Sequence, residues 1–291
     1  PAALFGARLI EAVGYLVVCI SLPALLNEIS PLRWKGPVLA IWSGFVPLGY
    51  ATSDLLSAAL LPLIGPQPFL VLMALTYAAF WVTGNQVLRS MGETYQAPAP
   101  APVSASLVPA VIMVAMAFGI FVVVSVAFFT FLPSFGLEAG LLLPAGVILL
   151  TVPLGNVLAG VLVRGRGPGF MAGLAIAGFA ACVLAAPLAF GQETPAAMTV
   201  AAMLLAVASA VVASSLFAAI PFVTPAGGSV AVALGIVSQA GGMGTLIGPP
   251  LAAFVVENHG WAGLGWFMAG AAALGILCMA PLAATAFRRP A

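Results

Sequence analysis

Phe5-Gly6-Ala7-Arg8-Leu9-Ile10-Glu11-Ala12-Val13-Gly14-Tyr15 sets an arginine and a glutamate inside a stretch that is otherwise apolar from Leu4 to Leu26. Only 5% of the 291 residues are charged, so two charges in one hydrophobic segment carry information. A charge in hydrocarbon costs at least about 2.5–3.5 kcal/mol, and it is usually paired or faces a cavity on a transport or proton path. Arg8 and Glu11 are three apart and share one helix face. A local ion pair that ties two helices together is the plainer reading of the same pattern.

Working outward, the composition decides the class. The chain is 63% hydrophobic and its mean hydropathy is +1.23. Soluble domains run at about 45–50% apolar and about 25% charged residues. The apolar runs are far longer than the 9–11 residues of a membrane β-strand. The expected fold class is therefore an all-α polytopic membrane protein. A net charge of +1 leaves no nucleic-acid footprint. Cys19, Cys182 and Cys278 lie in apolar runs without metal-ligand spacing and read as small hydrophobes, and His259 reads as a surface residue beside Trp261. No phosphate loop, metal cluster or nucleophile–base pair is present, so the chain is not read as an enzyme, and no cofactor is expected.

A crossing helix needs about 20 apolar residues. By that rule nine transmembrane segments are expected: 4–26, 37–61, 66–90, 107–133, 139–163, 168–190, 196–221, 228–256 and 262–287. One long connection, 91–106, contains Ala97-Pro98-Ala99-Pro100-Ala101-Pro102 and reads as an extended spacer. It divides 1–90, with three helices, from 107–291, with six. The chain opens Pro1-Ala2-Ala3 without a basic leader and enters a membrane segment at once, so its start reads as trimmed.

Basic residues set the orientation. Arg33, Lys35, Arg89, Arg164, Arg166, Arg288 and Arg289 fall at helix ends on one side, whereas the opposite loops hold Glu138, Glu193 and Glu257. The basic side is cytoplasmic by the positive-inside rule, and so is the C-terminus. An internal repeat adds to this. Ser21-Leu22-Pro23-Ala24-Leu25-Leu26 lies over Ser215-Leu216-Phe217-Ala218-Ala219-Ile220 at an offset of 194, so helices one to three correspond to seven to nine. Parallel repeats of this kind occur in transporters.

Taken together, the chain resembles the major facilitator superfamily of secondary transporters, matched as helices four to twelve with the first three of twelve missing. Three stretches carry the resemblance. Arg8-Leu9-Ile10-Glu11-Ala12-Val13-Gly14 is similar to the fourth-helix signature, in which the arginine serves proton-linked transport. Gly44-Phe45-Val46-Pro47-Leu48-Gly49 is similar to a degenerate fifth-helix Gly-Pro motif, with Val46 interrupting the strict antiporter form. The stretch 155–167, with Arg164 and Arg166, stands where the family has a basic loop, without its usual acidic residue. Among subfamilies the run through Arg8, Pro23, Trp42 and Pro47 is loosely similar to cyanate- and nitrate-type permeases.

The resemblance implies a secondary active transporter, a symporter or uniporter of the bacterial inner membrane. It would move a small polar or anionic solute by alternating access, with protons as a candidate coupling ion. The alternative is a non-transporting membrane scaffold on the same fold. The expected substrate and proton path is Arg8, Glu11, Tyr15, Tyr50, Asp54, Ser209 and Gln239. Arg8 is expected to pair with Asp54 or Glu11. Gln239, about eleven residues into its helix, falls near the bilayer midplane. The expected gating and packing residues are Gly44, Pro47, Gly49, Gly244, Gly248, Arg164 and Arg166. Gly244 with Gly248, and Gly169 with Gly173, form small-xxx-small faces for close helix contact.

Overall fold

The computed structural model describes residues 2–90 and 102–286, and they are almost entirely helical. The first part of the chain forms α1 (Ala2–Ile29), α2 (Leu32–Trp42), α3 (Phe45–Ile64) and α4 (Pro66–Ser90). A single turn, α5 (Val103–Ser106), precedes the second part. That part is α6 (Pro109–Ala139), α7 (Ala145–Leu149), α8 (Val152–Leu162), α9 (Pro168–Gly191), α10 (Pro195–Val223) and α11 (Val230–Ala286). Proline stands in the first turn of α6, α8, α9 and α10, where its missing N–H has no intrahelical partner to lose.

Eight of these stretches are long and apolar enough to cross a membrane, as befits an integral membrane protein. The expected count was nine. The difference lies in α11, whose last 55-residue candidate span, Val230–Ala284, is broken at Gly260 (φ 66°, ψ −171°). The expected loop at 257–261 shrinks to that one residue. Two expected crossings are bent. The segment 37–61 breaks at Ser43 and Gly44 between α2 and α3. The segment 139–163 breaks at Leu150 and Thr151 between α7 and α8. Pro47 and Pro153 follow these breaks and supply no N–H to the helix ladder. The Ala-Pro spacer lies outside the described residues up to 101. Its last residues form α5, whose Ser106 hydroxyl accepts a hydrogen bond from the Ser229 N–H at 3.0 Å.

The offset of 194 has a structural counterpart. α1 ends at Ile29 and α10 at Val223, 194 residues apart. α3 and α4 meet at Gly65 (φ 75°, ψ 172°), the same backbone state as Gly260, 195 residues on. Only glycine takes that left-handed extended state without steric cost, so each repeat turns its final corner on one residue.

The core lies in the second part. α10 packs on α9 and α8, and α11 on α6 and α9. Phe128, Phe179, Leu205 and Leu216 are fully buried there. The first part is laid against it through α1 on α11, α2 on α8 and α10, and α3 on α7. α4 touches α3 and has no buried residue.

The arrangement makes a labelling prediction. Gly167 and Gln192, at the two ends of α9, are exposed. In a cysteine-free background, cysteines at these positions are expected to react with an impermeant maleimide from opposite sides of the membrane. Labelling of both from one side would rule out α9 as a crossing.

Candidate functional site

Between the two parts lies a cavity of about 130 Å³. Tyr15 and Cys19 of α1 and Trp42, Phe45 and Pro47 of α2–α3 line one wall. Phe118, Ser125 and Phe129 of α6, Asn156 of α8, Ser209 of α10 and Ser238 and Thr245 of α11 line the other. Both parts thus contribute walls, as the bend at Ser43–Gly44 turns Trp42 and Phe45 toward α6. Trp42 stacks on Phe45 with ring centroids 4.7 Å apart, and Phe118 meets Phe217 edge-on at 5.1 Å. Among the described residues, no Asp, Glu, Lys, Arg or His lines the cavity.

Its polar floor joins three helices. The Asn156 amide nitrogen donates to the hydroxyls of Ser214 (2.8 Å) and Ser43 (3.1 Å), and both hydroxyls donate to the Ala40 carbonyl (2.9 and 2.7 Å). The amide must face this way, because its oxygen would otherwise confront the Ala40 carbonyl 3.5 Å off. Asn156 Oδ1 then points at Gly44 and, like the Trp42 Nε1–H, is buried without a protein partner. Such orphaned groups are costly, and each calls for an explanation.

The expected site residues divide. Tyr15, Ser209 and Pro47 line the cavity. Tyr50 stands just outside, its ring 5.3 Å from that of Phe129. Arg8 and Glu11 pair at 2.6 Å, with side chains 78% and 63% exposed, on the outer face of α1 and away from the cavity. The charge cluster expected between Arg8 and Asp54 does not form: the Asp54 carboxylate accepts instead from the Gly146 N–H at 2.7 Å, across the α3–α7 contact. Gly146 lies in the first turn of α7, where a backbone N–H has no partner in its own helix and is open to an outside acceptor. Gln239 is exposed on α11, and its neighbour Ser238 takes the place in the cavity.

The packing residues are better placed. A Cβ on Gly244 would lie 2.5 Å from the Gly119 carbonyl, and one on Gly248 3.0 Å from that of Val123, so α11 and α6 touch backbone to backbone. Gly173, by contrast, meets nothing within 4 Å, and its expected contact face is absent. Arg164 lies over the Trp34 ring at 4.1 Å, joining the α8–α9 turn to α2, and Arg166 lies over Phe170 at 5.2 Å.

Asn156, Trp42 and Ser43 are the residues that sequence reasoning did not rank. A lone Asn in an apolar helix was the available signal for the first. Trp42 entered only through the permease resemblance, since an interfacial tryptophan and an orphaned buried one look alike in sequence.

The two glycines of the Gly44–Gly49 motif are expected to behave oppositely. A Cβ on Gly44 would sit 2.5 Å from Asn156 Oδ1, whereas one on Gly49 meets nothing within 4 Å. Gly44→Ala should cost about 1–3 kcal/mol of stability, and Gly49→Ala should gain about 0.5–1 kcal/mol. Thermal unfolding of the two purified variants checks this, and equal shifts would contradict it. No family model matches the chain, and no curated protein matches it either.

Proposed function

We propose that the chain is a secondary active transporter that moves a small polar solute by alternating access, through nine crossings with the C-terminus in the cytoplasm. The observation that carries this reading is the cavity itself: a ring-lined chamber between two packed parts, walled by both, with a polar floor. Sites of this kind lie at repeat interfaces in transporters. The matching elbows at Gly65 and Gly260 support a repeat. The anionic arm of the expectation draws no support from the lining, because no basic side chain among the described residues borders the cavity. Protons remain the coupling ion to test, with Glu11 and Asp54 as the carboxylates on the outer half of α1 and α3.

A scaffold role is the second reading. It is favoured by the exposed ion pair on α1 and by α4, which buries none of its residues and leaves a broad face for another membrane protein.

Uptake into proteoliposomes by the full-length protein separates the two. Gly242 borders the cavity, and a Cβ there meets nothing within 4 Å, so Gly242→Phe should fold and obstruct the chamber. Solute uptake that Gly242→Phe abolishes supports transport. The absence of uptake across a broad solute panel, with wild-type protein folded, favours the scaffold. Arg8→Ala and Asp54→Asn test coupling: normal uptake and normal pH dependence in both would leave these residues structural.

A further inference from the structure

Which solute the cavity accepts follows from what its walls offer. Seven rings, those of Tyr15, Trp42, Phe45, Phe118, Phe121, Phe129 and Phe217, supply apolar faces. The hydroxyls of Ser125, Ser209 and Thr245 donate to carbonyls one turn back on their own helices, at 3.4, 2.8 and 3.2 Å. Their oxygens therefore face a guest only as acceptors. Tyr15 and Cys19 hydrogen-bond each other. Ser238 also lines the cavity, and its hydroxyl is the donor left over; the orphaned Trp42 Nε1–H and Asn156 Oδ1 are closed off from the cavity.

Charge is excluded at both signs. An anion would find no cation among the described residues to pair with, would face ring quadrupoles and the lone pairs of hydroxyls already committed as donors, and would have one hydroxyl donor to offset its desolvation. A cation would gain attraction from the rings, but it would leave water without a carboxylate to neutralise it. Ring attraction is smaller than the desolvation of an unpaired ion. The volume, about 130 Å³, is close to the roughly 150 Å³ that holds one benzene ring in an apolar protein cavity.

We propose that the cavity binds an uncharged solute about the size of one six-membered ring, with a polar edge that donates N–H or O–H to the hydroxyl oxygens and accepts from the Ser238 hydroxyl. This rests on the cavity being the solute site of the transporter reading above.

Benzamide, benzoate and benzamidinium share one planar shape and differ in charge. Equilibrium binding of each radiolabelled compound to the full-length protein in nanodiscs is the test. Benzamide should bind saturably and at least tenfold more tightly than either ion. Ser238→Ala, which drops the free hydroxyl, should weaken benzamide about fivefold, the size of one lost hydrogen bond. Gly242→Phe should abolish binding. Benzoate or benzamidinium binding as tightly as benzamide would overturn the proposal, as would no saturable binding of any of the three. Benzamide binding that Ser238→Ala and Gly242→Phe both leave unchanged would overturn it too, because the site would lie elsewhere. Uptake of benzamide is measured separately: saturable binding without uptake leaves the site standing and removes the transporter reading. Uptake of other solutes without benzamide binding does the reverse.

Discussion

Asn156→Asp is expected to be the most damaging single-atom change in the polar floor. It puts an oxygen where the amide nitrogen now donates, 2.8 Å from the Ser214 hydroxyl and 3.5 Å from the Ala40 carbonyl. The new carboxylate would be buried, since Asn156 is only 3% exposed, and no cation lies along the cavity to pair with it. An uncompensated buried charge costs about 3–5 kcal/mol. Ser43→Ala is the calibrating variant. It removes one acceptor of the Asn156 amide and one donor to Ala40, and should cost about 1 kcal/mol. Chemical unfolding in detergent at pH 8 compares them. A loss for Asn156→Asp no larger than that for Ser43→Ala would show that water reaches the floor and that the network is not sealed.

The second large effect belongs to the glycines at helix crossings. A Cβ on Gly155 would lie 2.5 Å from the Val207 carbonyl and 2.6 Å from the Ala210 methyl. Gly244 meets the Gly119 carbonyl at 2.5 Å. The obstacles are largely backbone, which cannot rotate aside as a side chain can, so the helices themselves must part. Gly155→Val and Gly244→Val should each cost at least the upper end of the about 1–3 kcal/mol typical of overpacking. Both should lower the yield of monodisperse protein. Gly173→Ala, with open space around it, should leave yield unchanged or raise it. Size-exclusion profiles and unfolding temperatures of the three variants check the ordering. Wild-type behaviour of Gly155→Val would mean that α8 and α10 are not in the close contact described.

Much of the architecture is legible in the sequence because hydrocarbon leaves few options. A long apolar run must become a helix, and prolines mark the starts. The expected segments 66–90 and 168–190 lie almost on α4 (Pro66–Ser90) and α9 (Pro168–Gly191). Bends were harder to see. Ser43–Gly44 and Leu150–Thr151 interrupt their helices within runs that still satisfy a rule based on apolar length, so that rule passes over them. The site was read in part. Tyr15, Ser209 and Pro47 were placed by helix and depth, which the chain order supplies. Gln239 and Asp54 stand outside the cavity lining, Gln239 exposed on α11 and Asp54 held by the Gly146 N–H. A one-residue change of position turns a side chain about 100° round a helix, and apolar residues on every face give no moment to orient it. Arg8 drew attention because it is charged, whereas the cavity is built from uncharged groups.

The two glycine elbows bear on how the chain enters a membrane. α3 and α4 are joined at Gly65, and the two rods of α11 at Gly260, with no intervening loop in either case. Neither corner has slack, so the placement of one rod constrains that of its partner, and each pair is expected to enter the bilayer together. Across the 57 residues of α11 the only charged side chain is Glu257, beside the elbow, with His259 the only other titratable group nearby. The leading tip therefore carries one acid, costing about 2.5–3.5 kcal/mol at mid-membrane, against two rods of apolar surface behind it. A nascent chain cut between Gly260 and Ala286 should accordingly fail to integrate two crossings rather than one.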